Sequence, residues 1–96
     1  KLKITWDKVT GNDAYIVNLR SADKSELLFS SSYLATDKVE FEFSSTTAGW
    51  AAGKSPVAGT DYVVELLAIK AETNVSYDKG NNIQFVTLDS KTIKWE

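Results

Sequence analysis

Carboxylates are the groups in this chain with the most obvious capacity for chemistry. Thirteen of the 96 residues are Asp or Glu, eleven are Lys or Arg, and none is His or Cys. Thiolate nucleophiles, disulfides, imidazole bases and the common zinc and copper ligand sets are therefore excluded by composition. Acid/base work by a carboxylate pair requires a pocket that drives two pKa values apart. Glu40 and Glu42 are spaced i, i+2, which places them together on the outward face of a strand, and the remaining carboxylates are dispersed. They read as solvated surface. Asp78, Gly80, Asn81 and Asn82 offer oxygen ligands, but too few carboxylates and the wrong spacing for a calcium loop, and a hairpin turn explains them better. The sequence thus predicts no metal, no cofactor and no catalytic residue. Asn74-Val75-Ser76 matches the glycosylation acceptor tripeptide.

Aromatic side chains are the second source of function. Trp50, Tyr33 and Tyr77 are the three that strand alternation explains least. An exposed loop aromatic stacks on a sugar ring or anchors a protein interface. The competing reading of Trp50 is that it caps the end of a hydrophobic core.

The elements that must position these residues are strands. Leu2, Ile4 and Trp6 alternate with Lys3 and Thr5, and Tyr15, Val17 and Leu19 alternate with Asn18 and Arg20 after the turn cluster Thr10-Gly11-Asn12-Asp13. Val39, Phe41 and Phe43 alternate with Glu40 and Glu42, the clearest inward and outward pattern in the chain. Residues 62–71 are apolar on both faces, which predicts a strand central in a sheet. A polar turn at residues 78–82 leads into a last strand at 83–88. Asp23-Lys24-Ser25-Glu26 has the form of a capping box, but the apolar run after it is too short for a helix and predicts a strand near residues 26–30. Residues 44–59, rich in Ser, Thr, Ala and Gly and containing Pro56, predict a long loop with a short helical turn at 48–52. Six to seven short strands separated by turns predict an all-β fold, an antiparallel β-sandwich.

A formal charge of −2 and a sequence pI near 5.1, with singly scattered lysines, leave no basic stripe for phosphates. Nucleic acid and anionic membrane are poor partners on that count. The longest apolar run is far short of the roughly 20 residues of a membrane-spanning helix, and no basic-then-apolar leader opens the chain. Lys at position 1 and the absence of Met are expected of a piece of a longer protein.

Three stretches carry a family resemblance. Ile4-Thr5-Trp6-Asp7-Lys8-Val9-Thr10-Gly11 followed by Ala14-Tyr15-Ile16-Val17 resembles the second strand, buried Trp and third-strand Tyr of fibronectin type III domains. Gly59-Thr60-Asp61-Tyr62-Val63-Val64-Glu65-Leu66-Leu67-Ala68 resembles that family's segment bearing the tyrosine corner, and residues 83–87 resemble its last strand. The chain departs from the family in two places. Pro56 stands where the family has a Leu six residues before the corner Tyr, which leaves the plugging of the core there to Trp50 or Val57, and the family's first strand is missing. Residues 91–96 form a tail in which Thr92-Ile93-Lys94-Trp95-Glu96 echoes Lys3-Ile4-Thr5-Trp6-Asp7. The domain is accordingly read as residues 1–90, with 91–96 either an edge strand or the start of a following module.

The resemblance implies an immunoglobulin-like antiparallel β-sandwich, and a non-catalytic spacer or interaction module of a larger extracellular or cell-surface protein, with a periplasmic setting as a variant. It implies contacts with neighbouring domains of the same chain and with protein or polysaccharide. The plain turns and lack of Cys look like bacterial versions of the family, which occur beside glycan-degrading modules. With Tyr62, Val64, Leu66 and Ala68 turned to the core, the resemblance predicts an outward patch of Val63, Leu67 and Ile69 beside Ile16, a contact face for an adjacent domain. The alternative function is carbohydrate binding through Trp50, Tyr33 and Tyr77. The family's adhesion tripeptide Arg-Gly-Asp is absent, so integrin binding does not carry over.

Overall fold

The structure, a computed structural model, describes the backbone of residues 1–71 and 83–96 and the side chains of 1–69 and 90–96. Within these the chain forms six strands and no helix: β1 (Leu2–Thr5), β2 (Ala14–Ser21), β3 (Leu27–Ser30), β4 (Glu40–Phe43), β5 (Asp61–Ala71) and β6 (Ile83–Lys94). β1 and β4 make a two-stranded sheet, and the other four make a sheet in the order β3-β2-β5-β6. Every pairing is antiparallel. The fold is all-β with two antiparallel sheets, consistent with a β-sandwich.

Side-chain alternation and turn chemistry account for most of these elements. In β2, Tyr15, Val17 and Leu19 are fully buried, while Gly11, at φ 89°, turns the chain ahead of the strand. The β2–β3 hairpin is built on Asp23, whose Oδ1 accepts from the amide and the hydroxyl of Ser25 and from the hydroxyl of Ser21. Lys24 takes the left-handed conformation there, at φ 65°. The tetrapeptide that has the form of a helix cap is thus an Asx-type turn, and the strand expected at 26–30 is β3.

Residues 48–52 depart from expectation, because no helical turn forms. Gly49 carbonyl oxygen accepts from Ser30 N (3.1 Å) and Ala51 N donates to Leu28 carbonyl oxygen (2.9 Å), so residues 49–51 run antiparallel along the outer edge of β3. Gly49 sits at φ 132°, and a Cβ there would lie 2.5 Å from Ser30 carbonyl oxygen and 2.9 Å from the Phe29 ring. Close backbone approach, not helix propensity, sets this stretch.

The core gathers Tyr15, Val17, Leu19, Phe29, Phe43 and Leu66 from both sheets, with Trp6, Phe41 and Trp50 packed against it. Phe29 stacks on Phe43 at 4.2 Å between centroids, and Trp6 meets Tyr15 at 5.4 Å. Each fully buried ring of this kind contributes about 1.5–3 kcal/mol by leaving water. Val39 differs from the expected alternation: it precedes β4 and is exposed, its carbonyl accepting from Trp6 N.

Residues 91–94 continue β6 in register with 61–64. Trp95 is 6% exposed, its amide donates to Thr60 carbonyl oxygen, and its ring lies 5.6 Å from Phe43. The boundary drawn at residue 90 therefore falls inside a strand, and the tail supplies a core side chain.

Candidate functional site

Of the three aromatics singled out, Trp50 is half-buried. Its ring packs edge-on against Phe29 (5.1 Å) and Trp95 (5.9 Å), and its Nε1 donates to Ser44 carbonyl oxygen (2.9 Å). With its polar tip satisfied and its edges against core rings, it closes the core at the β3 edge. Tyr33 is 55% exposed on the segment after β3, close to the Leu34–Tyr15 bridge, whereas Trp50 pairs with Phe29 within β3. Tyr77 lies outside the described residues.

The expected outward patch needs correction. Ile16 and Leu67 face each other across β2 and β5 and are half-buried, but Val63 is 3% exposed and Ile69 1%. Both do sit on the face away from the core cluster. Arg20, directly opposite Val63, reaches along the strand to Glu65 (Nε to Oε1, 2.8 Å) and carries its apolar stem beside Val63. The four residues do not form one exposed apolar surface.

The corner residue behaves differently. Tyr62 is buried and its hydroxyl oxygen accepts from Val57 N at 2.9 Å, tying the loop back onto the start of β5. Tyr15 does the same for the turn before β2, accepting from Val9 N at 2.9 Å. Val57 is 60% exposed, so of the two candidates to plug the core, Trp50 is the one packed against it.

Several of the described carboxylates are engaged at the surface. Glu40 pairs with Lys3 (3.0 Å) and Glu42 with Lys1 (3.7 Å), across β1 and β4. The hydrogen bond to Glu40, and then its charge, raise the Lys3 pKa. Hydrogen bonds from Ser25, then from Ser21, hold the Asp23 carboxyl down to about 2. No cluster of three acidic residues able to hold a metal occurs among the described residues.

The feature that sequence reasoning missed is a groove of about 880 Å3 between β1 and the core face of β5 and β6. Leu2, Ile4 and Trp6 line one wall, Val64 and Leu66 the floor, and Lys91 and Ile93 the far side. The strand patterns contain each wall, but nothing in them shows that a two-stranded sheet is laid on a four-stranded one. Comparison of the chain with family models, with curated proteins and with solved structures finds no match.

Proposed function

We propose that this chain is a non-catalytic, fibronectin type III-like module that acts as a spacer or interaction domain in a larger extracellular or cell-surface protein. The observation that carries the reading is the hydrogen bond from Val57 N to the Tyr62 hydroxyl at the start of β5, the geometry of a tyrosine corner. The strand arrangement supports it. With β1, β2, β4, β5 and β6 taken as strands B, C, E, F and G, β1-β4 matches the B-E pair and β2-β5-β6 the C-F-G sheet, with β3 beside C as in variable-type domains. Composition supports the non-catalytic part, since His and Cys are absent, and among the described residues Glu40 and Glu42 are engaged in surface ion pairs and Asp23 in a turn. Partners on this reading are neighbouring domains of the same chain and other proteins. Trp50, closed into the core edge, weighs against the carbohydrate alternative.

The test is direct. The protein is assayed against chromogenic ester, phosphate and glycoside substrates and titrated with a panel of polysaccharides. The expected result is no turnover and no binding. Turnover abolished by a single Glu or Asp substitution, or polysaccharide binding lost in Tyr33→Ala with an unchanged melting curve, would replace this reading.

A further inference from the structure

Among the described side chains, two buried polar atoms lack a hydrogen-bond partner, Trp6 Nε1 and Asn18 Oδ1. Native folds keep few such groups, because each costs the free energy of stripping it of water. Trp6 lies on the core side, against Tyr15. Asn18 does not. Val17 and Leu19 on either side of it enter the core, so Asn18, 7% exposed, stands on the opposite face of the sheet β3-β2-β5-β6, away from β1 and β4. On that outer face Glu65 is directly across from it on β5, Arg20 is two residues along β2, and the two are joined by an ion pair at 2.8 Å.

The register places two leucines symmetrically about this residue. Leu67 is one strand over on β5 and two residues along, opposite Ile16. Leu27 is one strand over on the other side, on β3, and two residues along the other way, opposite Arg20. Leu27 is 42% exposed and Leu67 half-buried. A half-turn about Asn18 therefore exchanges the two positions. A two-fold axis lying in the face, through Asn18 and across the Leu27–Leu67 diagonal, sets Leu27 of each copy on Leu67 of the other.

Charge and hydrogen bonding choose the occupant. Arg20 and Glu65 neutralise each other within one copy, so the face selects no partner of net charge. The same axis brings each Arg20 beside the Glu65 of the second copy, so the two ion pairs join into one neutral network. It also brings the two Asn18 amides together. An amide both donates and accepts, and the Nδ2 of one Asn18 supplies the donor that the Oδ1 of the other lacks. We therefore propose that the outer face of β3-β2-β5-β6 is a self-association surface, on which two copies of this chain pair about Asn18. Four strands at about 4.8 Å and eight residues of β2 at about 3.4 Å give roughly 500 Å2 of face per copy. About 1,000 Å2 in total is the lower limit for a specific interface, so the dimer is weak and reversible. This does not depend on the module reading above.

The test follows 15N-labelled protein by sedimentation velocity and amide shifts between about 10 μM and 1 mM, the span in which so small an interface is expected to dissociate. The expected result is a reversible dimer, with shifts at Asn18, Arg20, Leu27 and Glu65 that track the dimer fraction. Leu27→Asp, an exposed change, weakens it by about tenfold or more by setting a charge on Leu67 of the second copy. Adding Leu67→Lys to Leu27→Asp restores the dimer, because the axis places those two positions together. Asn18→Asp sets two carboxylates at the axis and abolishes the dimer at neutral pH; where that variant does not fold, Leu27→Asp with an unchanged melting curve decides. A monomer at 1 mM, a dimer that Leu27→Asp leaves intact, or a double variant no tighter than Leu27→Asp alone would each overturn the proposal.

Discussion

Two side chains show how single hydrogen bonds hold loops onto the strands. Tyr62 buries its ring in the core and turns its hydroxyl oxygen to Val57 N, so Tyr62→Phe keeps the packing and leaves that amide without its acceptor. The expected loss is about 0.5–1.5 kcal/mol in urea unfolding, with an unchanged m-value. Asp23 works through charge. Its carboxyl is held at about 2 by the Ser25 and Ser21 donors, below the ordinary carboxylate value. A carboxylate with a lowered folded-state pKa stabilises the fold above the unfolded-state value, and that contribution disappears as pH falls through the lowered one. The β2–β3 turn is therefore expected to loosen between about pH 4 and pH 2, read from the Ser25 amide shift titrating with the carboxyl and from its loss of titration in Asp23→Asn. Tyr62 was legible through the resemblance of residues 59–68 to the family segment that bears such a tyrosine. Trp50 was legible only as a choice between loop ligand aromatic and core cap, since periodicity says nothing about a loop residue whose ring neighbours are Phe29, Phe43 and Trp95.

At the scale of elements, β3 illustrates how an outer strand is protected. It is four residues long, and residues 49–51 cover the edge that β2 does not use. Gly49 makes that approach achievable. Gly49→Ala is expected to cost about 1–3 kcal/mol, from a strained φ together with the contact on Ser30 carbonyl oxygen. Gly53→Ala, also at positive φ but with open space around it, should cost less, and thermal melts of the two variants give the ordering. Alternation located β1, β2 and β4, because a half-buried strand must repeat every second residue, while an apolar run on both faces located β5 and a run too short for a helix favoured a strand for β3. It failed at residues 48–52, where composition suggested a helical turn and a tertiary contact imposed extended backbone. Val39 was misplaced for a related reason: the pattern began one residue ahead of the start of β4.

For the whole molecule, the governing feature is the unequal width of the two layers. The doubly apolar character of residues 62–71 correctly marked β5 as central, while Val63 and Ile69 are buried where an exposed patch was expected. The groove beside β1 was illegible because sheet membership is a long-range property, set by which strands find each other rather than by any local run. Trp95 belongs to the same scale. It joins the last strand to Phe43, Trp50 and Tyr62, and Trp95→Ala should lower stability by about 3–5 kcal/mol in denaturant unfolding, whereas Tyr33→Ala should stay within about 0.5 kcal/mol. Because that indole sits at position 95 while Phe43 and Trp50 lie some 45 to 52 residues earlier, a nascent polypeptide emerging from the ribosome carries its oily surfaces uncovered until residue 95 is out. Closure then depends on distant segments meeting late, a slow kind of search, and holding chaperones have their longest opportunity in that interval.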